Sequence, residues 1–446
     1  MSFETIPILD LEEAKDPSTK PHFLDQLRNA LLEVGFLYLK NVGIPEELTE
    51  KVVQEGVSFF DLPMEEKLKI EMKNAASFLG YSRLDAEITA HTIDHREQID
   101  LSTDHKVRTP DQPLYRNLFA PTQWPSPLCL PKFRSVYSEC ITRMCLISIF
   151  FTSLIAQAIG LPATAFNKYF DADQQHKLKI VKYPDLKELG LWKEGEEVLE
   201  GQGVGPYKDS MLTSYLLQVT NHRGLQVQNL RGEWIDCPPI DGTLVVAIGQ
   251  GMEALTQGVC MSTTHRVLSP APGTGARISV PFFQGVSLDA EFNELNDWEN
   301  GGGVGKVPEE VREMRRKVVA KNGGRLDDVE FTFSGGNGAR TLGEATLKNR
   351  IKSHPDVGER WYPDILAQIR NQQQTERNAG NKATRPALNV YSVTGDPGGL
   401  LRRFEKRTAF EALILLFALM TRVPRCAPVA IYRSRNMSAH FSSACI

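Results

Sequence analysis

The sequence predicts an α+β fold, in which a β-sandwich or barrel fills the second half of the chain and helices flank it. Two observations carry this. From residue 178 on, short β-prone runs recur at 178–183, 212–218, 225–228, 234–236, 243–248 and 278–283, separated by clusters of Gly, Pro, Asn and Asp. Many short strands with turns between them close into sandwiches or barrels. Ahead of them, apolar residues recur at helical spacing, first at Phe23, Leu24, Leu27, Leu31 and Val34.

Taken in order, Ile6-Pro7-Ile8-Leu9-Asp10-Leu11 is a short apolar run. It reads as an edge strand, because proline is tolerated there. The helix over 23–34 ends at Gly35, the residue type that closes helices. Phe36-Leu37-Tyr38-Leu39 is a strand. A helix over 46–60 stops before Leu62-Pro63, where a new one starts with Pro63 in its first turn. The segments Leu79-Gly80-Tyr81 and 94–100 pass near the mouth of any site. Trp124-Pro125 turns the chain into a long helix over 133–159, closed by Gly160. It reads as a buried supporting helix, too interrupted by Arg143, Ser148, Thr152 and Gln157 to span a membrane. After Asp297 come a Gly301-Gly302-Gly303 hinge, a charged helix over 308–319 and a last helix over 361–371. The organisation is thus an N-terminal region 1–125, a helix-plus-strand region 126–371 and an unassigned tail 372–446. The tail is basic and holds an apolar run at 410–420, too short to span a bilayer as a helix. It reads as a poorly ordered extension, with a basic, apolar segment lying on a membrane surface as the alternative.

Composition narrows the class. The chain has 446 residues and a net charge of −4, which gives no electrostatic case for a nucleic-acid partner. Seven cysteines, without a C-x-x-C pair, read as reduced thiols of a cytoplasmic protein. The N-terminus lacks the basic-then-apolar pattern of a secretory signal. Nothing in the sequence specifies an oligomeric state.

The chemistry gathers in three places. A loop with Gly201, Gly203 and Gly205 leads through Pro206 to Tyr207-Lys208-Asp209-Ser210. Downstream lie Thr263-Thr264-His265-Arg266-Val267, then Arg277-Ile278-Ser279 opening a strand. Together these resemble the iron- and co-substrate-binding strands of the isopenicillin N synthase-like, 2-oxoglutarate- and Fe(II)-dependent oxygenases. That family writes His-x-Asp, then a distal His, then Arg-x-Ser. The opening of the chain is similar to the same family in its strand, its helix ending in Gly-Phe, and its stretch from Phe59 to Lys67. The resemblance runs from about residue 6 to about 370. It implies a double-stranded β-helix (jelly roll) with flanking helices, Fe(2+) as the metal, 2-oxoglutarate as co-substrate, and O₂ with a small organic substrate. The outcome would be hydroxylation, desaturation or cyclisation.

By that resemblance Asp209 and His265 are metal ligands. Tyr207 stands where the family's first His belongs, and on a strand it would point the same way as Asp209. Non-haem iron is held on one face by two His and one carboxylate. A phenol is a poor Fe(II) ligand until it loses its proton, near pH 10 when unperturbed. Arg277 offers a bidentate fork for a carboxylate, with Ser279 on the same face and Tyr183 as a third contact. In the isopenicillin-type branch the same pair holds the substrate's own carboxylate, so that alternative stays open. Phe78, Tyr81, Asp100 and Phe283 are candidates for choosing the substrate. His222, in a turn, is not expected to replace the missing ligand. Two readings follow: an active dioxygenase, or a catalytically impaired relative that binds a carboxylate ligand.

Overall fold

Strand residues in this chain are apolar on one face and mixed on the other, and the fold uses both faces. The computed structural model describes residues 2–89, 92–170, 174–198, 200–291, 304–324 and 339–380. The Gly301–Gly303 hinge and the apolar run at 410–420 lie outside them. One unit, Met1–Arg377, holds every site residue discussed below.

The chain opens with β1 (Ile8–Asp10), α1 (Lys20–Glu33) and β2 (Phe36–Lys40). Next come α2 (Glu46–Phe60), α3 (Met64–Lys69), β3 (Gly80–Ser82), the hairpin β4 (Ile88–Thr89) and β5 (Thr92–Ile93), and β6 (Glu97–Ser102). The long helix α4 (Phe133–Ala158) then leads to β7 (Lys177–Tyr183), β8 (Gln202–Tyr207), β9 (Thr213–Gln218), β10 (Leu225–Gln228) and β11 (Trp234–Asp236). β12 (Thr243–Ile248), α5 (Gln250–Leu255), β13 (His265–Leu268) and β14 (Arg277–Phe283) complete the described strands. Among the described residues four helices follow: α6 (Glu309–Lys321), α7 (Leu342–Ser353), α8 (Pro355–Trp361) and α9 (Pro363–Gly380).

Eight strands form the main sheet in the order β1-β2-β12-β9-β14-β7-β6-β3, and four form the minor sheet in the order β11-β10-β13-β8. Phe36, Tyr38, Val181, Tyr183 and Val245 of the main sheet pack against Val204, Val227 and Val267 of the minor sheet. This is the predicted jelly roll. The opposite face of the main sheet, with Leu37, Leu39, Ile99, Leu178, Ile180 and Phe282, packs on α1, α2 and α4 through residues such as Phe23, Phe59 and Tyr137. β1 is the edge strand, as Pro7 foretold.

Differences from the sequence reading have local causes. Proline at 363 cannot continue a helix, so the last helix divides into α8 and α9, and α9 runs on to Gly380, past the boundary drawn at 371. α7 carries no strong apolar stripe and escaped the reading. α4 passes a length-and-composition test for a membrane span, yet 56% of its most apolar window is buried inside the protein.

Gly35 joins α1 to β2 with φ +69°. A Cβ there would fall 2.1 Å from the Met261 carbonyl oxygen and 2.6 Å from Thr263 Oγ1. Gly35→Ala therefore combines left-handed strain with backbone overlap, and should cost about 2–4 kcal/mol. Urea denaturation measures it, and an unchanged midpoint would refute the close approach.

Candidate active site

Tyr207 ends β8, and its register partner on β13 is His265. Their rings pack at a centroid distance of 4.2 Å. Asp209 lies two residues beyond the strand end, not on the strand as the sequence reading had it. The loop is instead fixed by its backbone, since Gln250 N donates to the Asp209 carbonyl at 2.7 Å. Its carboxylate nonetheless arrives at the same point: His265 Nε2 stands 4.0 Å from Asp209 Oδ2. The Ser214 hydroxyl donates to that Oδ2. His265 Nδ1 lies 3.1 Å from the Thr263 carbonyl oxygen, which can only accept. Nδ1 therefore carries a proton and donates to that carbonyl, which leaves Nε2 facing Asp209.

Arg277 is 1% exposed, on β14 opposite Tyr183 of β7. Its guanidinium lies over the Tyr183 ring at 5.2 Å. One amine nitrogen donates to Gln218 Oε1 at 3.0 Å and the other to Ser279 Oγ at 3.4 Å. Nε is buried without a hydrogen-bond partner among the described residues. Burial pushes this guanidinium below its ordinary pKa, with the Tyr183 and Tyr207 hydroxyls acting the other way. A buried fork with an unused donor is a receptor for an acid group.

Two family models match the chain. One, described as the N-terminal part of a non-haem dioxygenase in morphine synthesis, covers residues 6–127, and the 2OG-Fe(II) oxygenase superfamily covers 173–286. A "2-oxoglutarate-dependent dioxygenase frbJ" of Dothideomycetidae sp. (strain 11243) is 65% identical over 374 residues, 83% of this chain and 96% of that protein.

The chain belongs to the 2-oxoglutarate- and Fe(II)-dependent oxygenases.

A further relative of the oxygenase, a "2-oxoglutarate-dependent dioxygenase" of Gibberella zeae, is 35% identical over 84% of this chain and 95% of that protein. Among solved structures, a full-length Neurospora crassa protein in complex with alpha-KG and 5-formyluracil aligns with a TM-score of 0.53 at 24% identity. That alignment covers 64% of this chain and 86% of that one, and bears on the fold alone. The oxygenase uses Fe(II), 2-oxoglutarate and O₂ to oxidise a small organic metabolite.

The donors fit iron at two positions. An imidazole nitrogen and a carboxylate oxygen are donor types that suit Fe(II), so His265 and Asp209 would be the residues to hold it. The third position departs from the family pattern. Burial raises the Tyr207 phenol well above its ordinary pKa, and the Asp209 and Tyr183 side chains add to this while Arg96 opposes it. Among the described residues no group of three His, Cys, Asp or Glu side chains could hold a metal. His222 Nε2 lies 2.8 Å from the Thr274 carbonyl oxygen and supplies no replacement.

The residues proposed to select the substrate divide. Asp100 and Phe283 lie on the inner face of the main sheet with Arg277 and Ser279. Tyr81 faces the helices, its hydroxyl donating to Glu97 Oε2 at 2.7 Å. Phe78 stacks on Tyr362 at 5.8 Å, under the C-terminal helices. Both are corrections: these two side chains are core. Ser214, Gln218 and Thr263, which hold the three key groups, carried no signal of their own in the sequence, because a lone Ser, Gln or Thr in a strand is commonplace.

Proposed function

We propose that Asp209 and His265 are the protein's iron ligands, and that Tyr207 fills the third position as a neutral phenol. Arg277, with Ser279 and Tyr183, receives the C5 carboxylate of 2-oxoglutarate. The observation that carries this reading is the convergence of His265 Nε2 and Asp209 Oδ2, together with a buried Arg277 whose Nε lacks a partner among the described residues. Iron would supply O₂ activation coupled to decarboxylation of 2-oxoglutarate to succinate. The chain's own part is to hold and orient. Thr263 fixes the imidazole tautomer, Ser214 fixes the carboxylate, and Gln218 steadies the guanidinium.

The isopenicillin-type alternative would put a substrate carboxylate on Arg277. Incubation with Fe(II), O₂ and 2-oxoglutarate, without added substrate, separates the two. Slow succinate formation, with equimolar CO₂ release, is the expected result. No succinate, together with no calorimetric binding of 2-oxoglutarate, would remove the co-substrate assignment.

A further inference from the structure

The inner face of the main sheet carries charge that the reading above leaves unused. β6 and β7 set Asp100 opposite Lys179 and Ser102 opposite Lys177, with Gln98 two residues before Asp100 on the same face. Gln98, Asp100, Lys177 and Lys179 are 1, 0, 4 and 8% exposed. Arg350 reaches in from α7, 4.0 Å from Asp100 Oδ1, and Lys179 Nζ stands 3.3 Å from the same oxygen. Lys177 Nζ is buried and has no hydrogen-bond partner among the described residues. Lysine seldom stays in a protein interior unpaired.

The acceptor side is also incomplete. Gln98 Nε2 donates to Glu87 Oε1 at 2.6 Å and to Asp100 Oδ2 at 2.9 Å. Those two bonds fix the amide's orientation, and they leave Gln98 Oε1 without a donor among the described residues. Nearby, Arg96 pairs with Glu87 and, at 3.3 Å, with Asp94. Among the described residues, Arg96, Lys179 and Arg350 thus face the three carboxylates of Glu87, Asp94 and Asp100, and Lys177 is left over, its amine pushed well below the ordinary pKa by burial and then by the neighbouring Arg350.

Register places this patch relative to the metal position. Lys177 pairs with Phe283, and Phe283 pairs with Ser214, whose hydroxyl holds Asp209. Two strand spacings separate Lys177 from Ser214, roughly 10 Å across the sheet. That is the reach of a small metabolite laid between the patch and the reacting centre.

We propose that this patch docks the substrate by an acid group. The substrate is a small organic acid whose carboxylate sits on Lys177, between Lys179 and Arg350. An amine or hydroxyl beside that carboxylate donates to Gln98 Oε1. The proposal rests on the reading that places the reacting centre at Asp209 and His265. It deepens that reading by naming a substrate class.

The test is a titration of the full chain, loaded anaerobically with Fe(II) and saturating 2-oxoglutarate, so that Arg277 is already occupied. The probes are the proteinogenic amino acids, their 2-hydroxy analogues and the matching carboxamides, read by thermal shift and calorimetry. At least one amino or hydroxy acid should bind about ten- to hundredfold more tightly than its carboxamide, the worth of one charge-assisted hydrogen bond. Lys177→Met should erase that ratio, and Lys177→Arg should keep it. The ligand-free melting temperature of Lys177→Met should hold or rise, because a buried amine without a partner among the described residues gives way to an apolar chain of similar length. A merely structural lysine would behave the opposite way, with a lower melting temperature and an unchanged ratio, and that result overturns the proposal. So does a panel in which no acid outbinds its carboxamide. The shift caused by 2-oxoglutarate itself is recorded beforehand. Its absence would count against the Arg277 assignment, while the acid-to-carboxamide ratio still decides this one.

Discussion

Tyr207→His should bind Fe(II) far more tightly than the natural protein. The side chain stands beside both remaining donors, with its ring 4.2 Å from that of His265. Burial, reinforced by the Asp209 charge, holds its phenol in the protonated form. A protonated phenol adds little to an Fe(II) site, whereas a neutral imidazole is a good ligand. Losing even an outer-sphere partner costs metal sites about 10–100-fold in affinity, so gaining a direct ligand should gain at least that. Anaerobic titration with Fe(II) measures it, without any turnover. Tyr207→Phe is the companion experiment, and it should leave the natural affinity almost unchanged. If Tyr207→Phe instead releases tightly held iron, or the natural protein shows a phenolate-to-ferric band in the visible, the tyrosine is a true ligand. The neutral-phenol account would then fall.

Arg277→Leu should weaken 2-oxoglutarate binding by about 2–5 kcal/mol, the range for removing one partner of a buried charge pair. The variant should still fold. Arg277 is enclosed by β7, β9 and β14, its Nε has no partner among the described residues, and burial already pushes its guanidinium below the ordinary pKa. An apolar replacement removes that burden at little cost in packing. Calorimetric titration of the folded variant decides the matter, with unchanged affinity ruling the clamp out.

Much of this was legible in the sequence, and what was not has one main cause. The short runs bounded by Gly, Pro, Asn and Asp marked the strands closely: 225–228, 234–236 and 243–248 coincide with β10, β11 and β12. Asp209, His265 and Arg277 could be located because the family pattern constrains their spacing. The run at 178–183 marked a strand and left its faces open. Alternating lysine with leucine and isoleucine reads as a strand with a wet face and a core face. Here Leu178 and Ile180 meet the helices, while Lys177 and Lys179 point into the jelly roll. Period alone gives alternation and cannot say which face is outside. Tyr81, placed by the sequence near the mouth of the site, shows its side only through the register with Ile99, which turns it toward the helices.

The place of β14 in the main sheet bears on how the protein is made. β14 is synthesised after every other strand of that sheet, yet it lies between β7 and β9. Without it, the strand order leaves two half-sheets, β1-β2-β12-β9 and β7-β6-β3, each with an open edge. Open edges invite pairing with other chains. The closing strand is also the one that carries Arg277 and Ser279. Grip on the acid ligand and completion of the sheet are therefore one event. A ligand that binds only the closed form stabilises the whole fold by mass action, and a cell rich in that ligand would favour closure over aggregation as the chain leaves the ribosome.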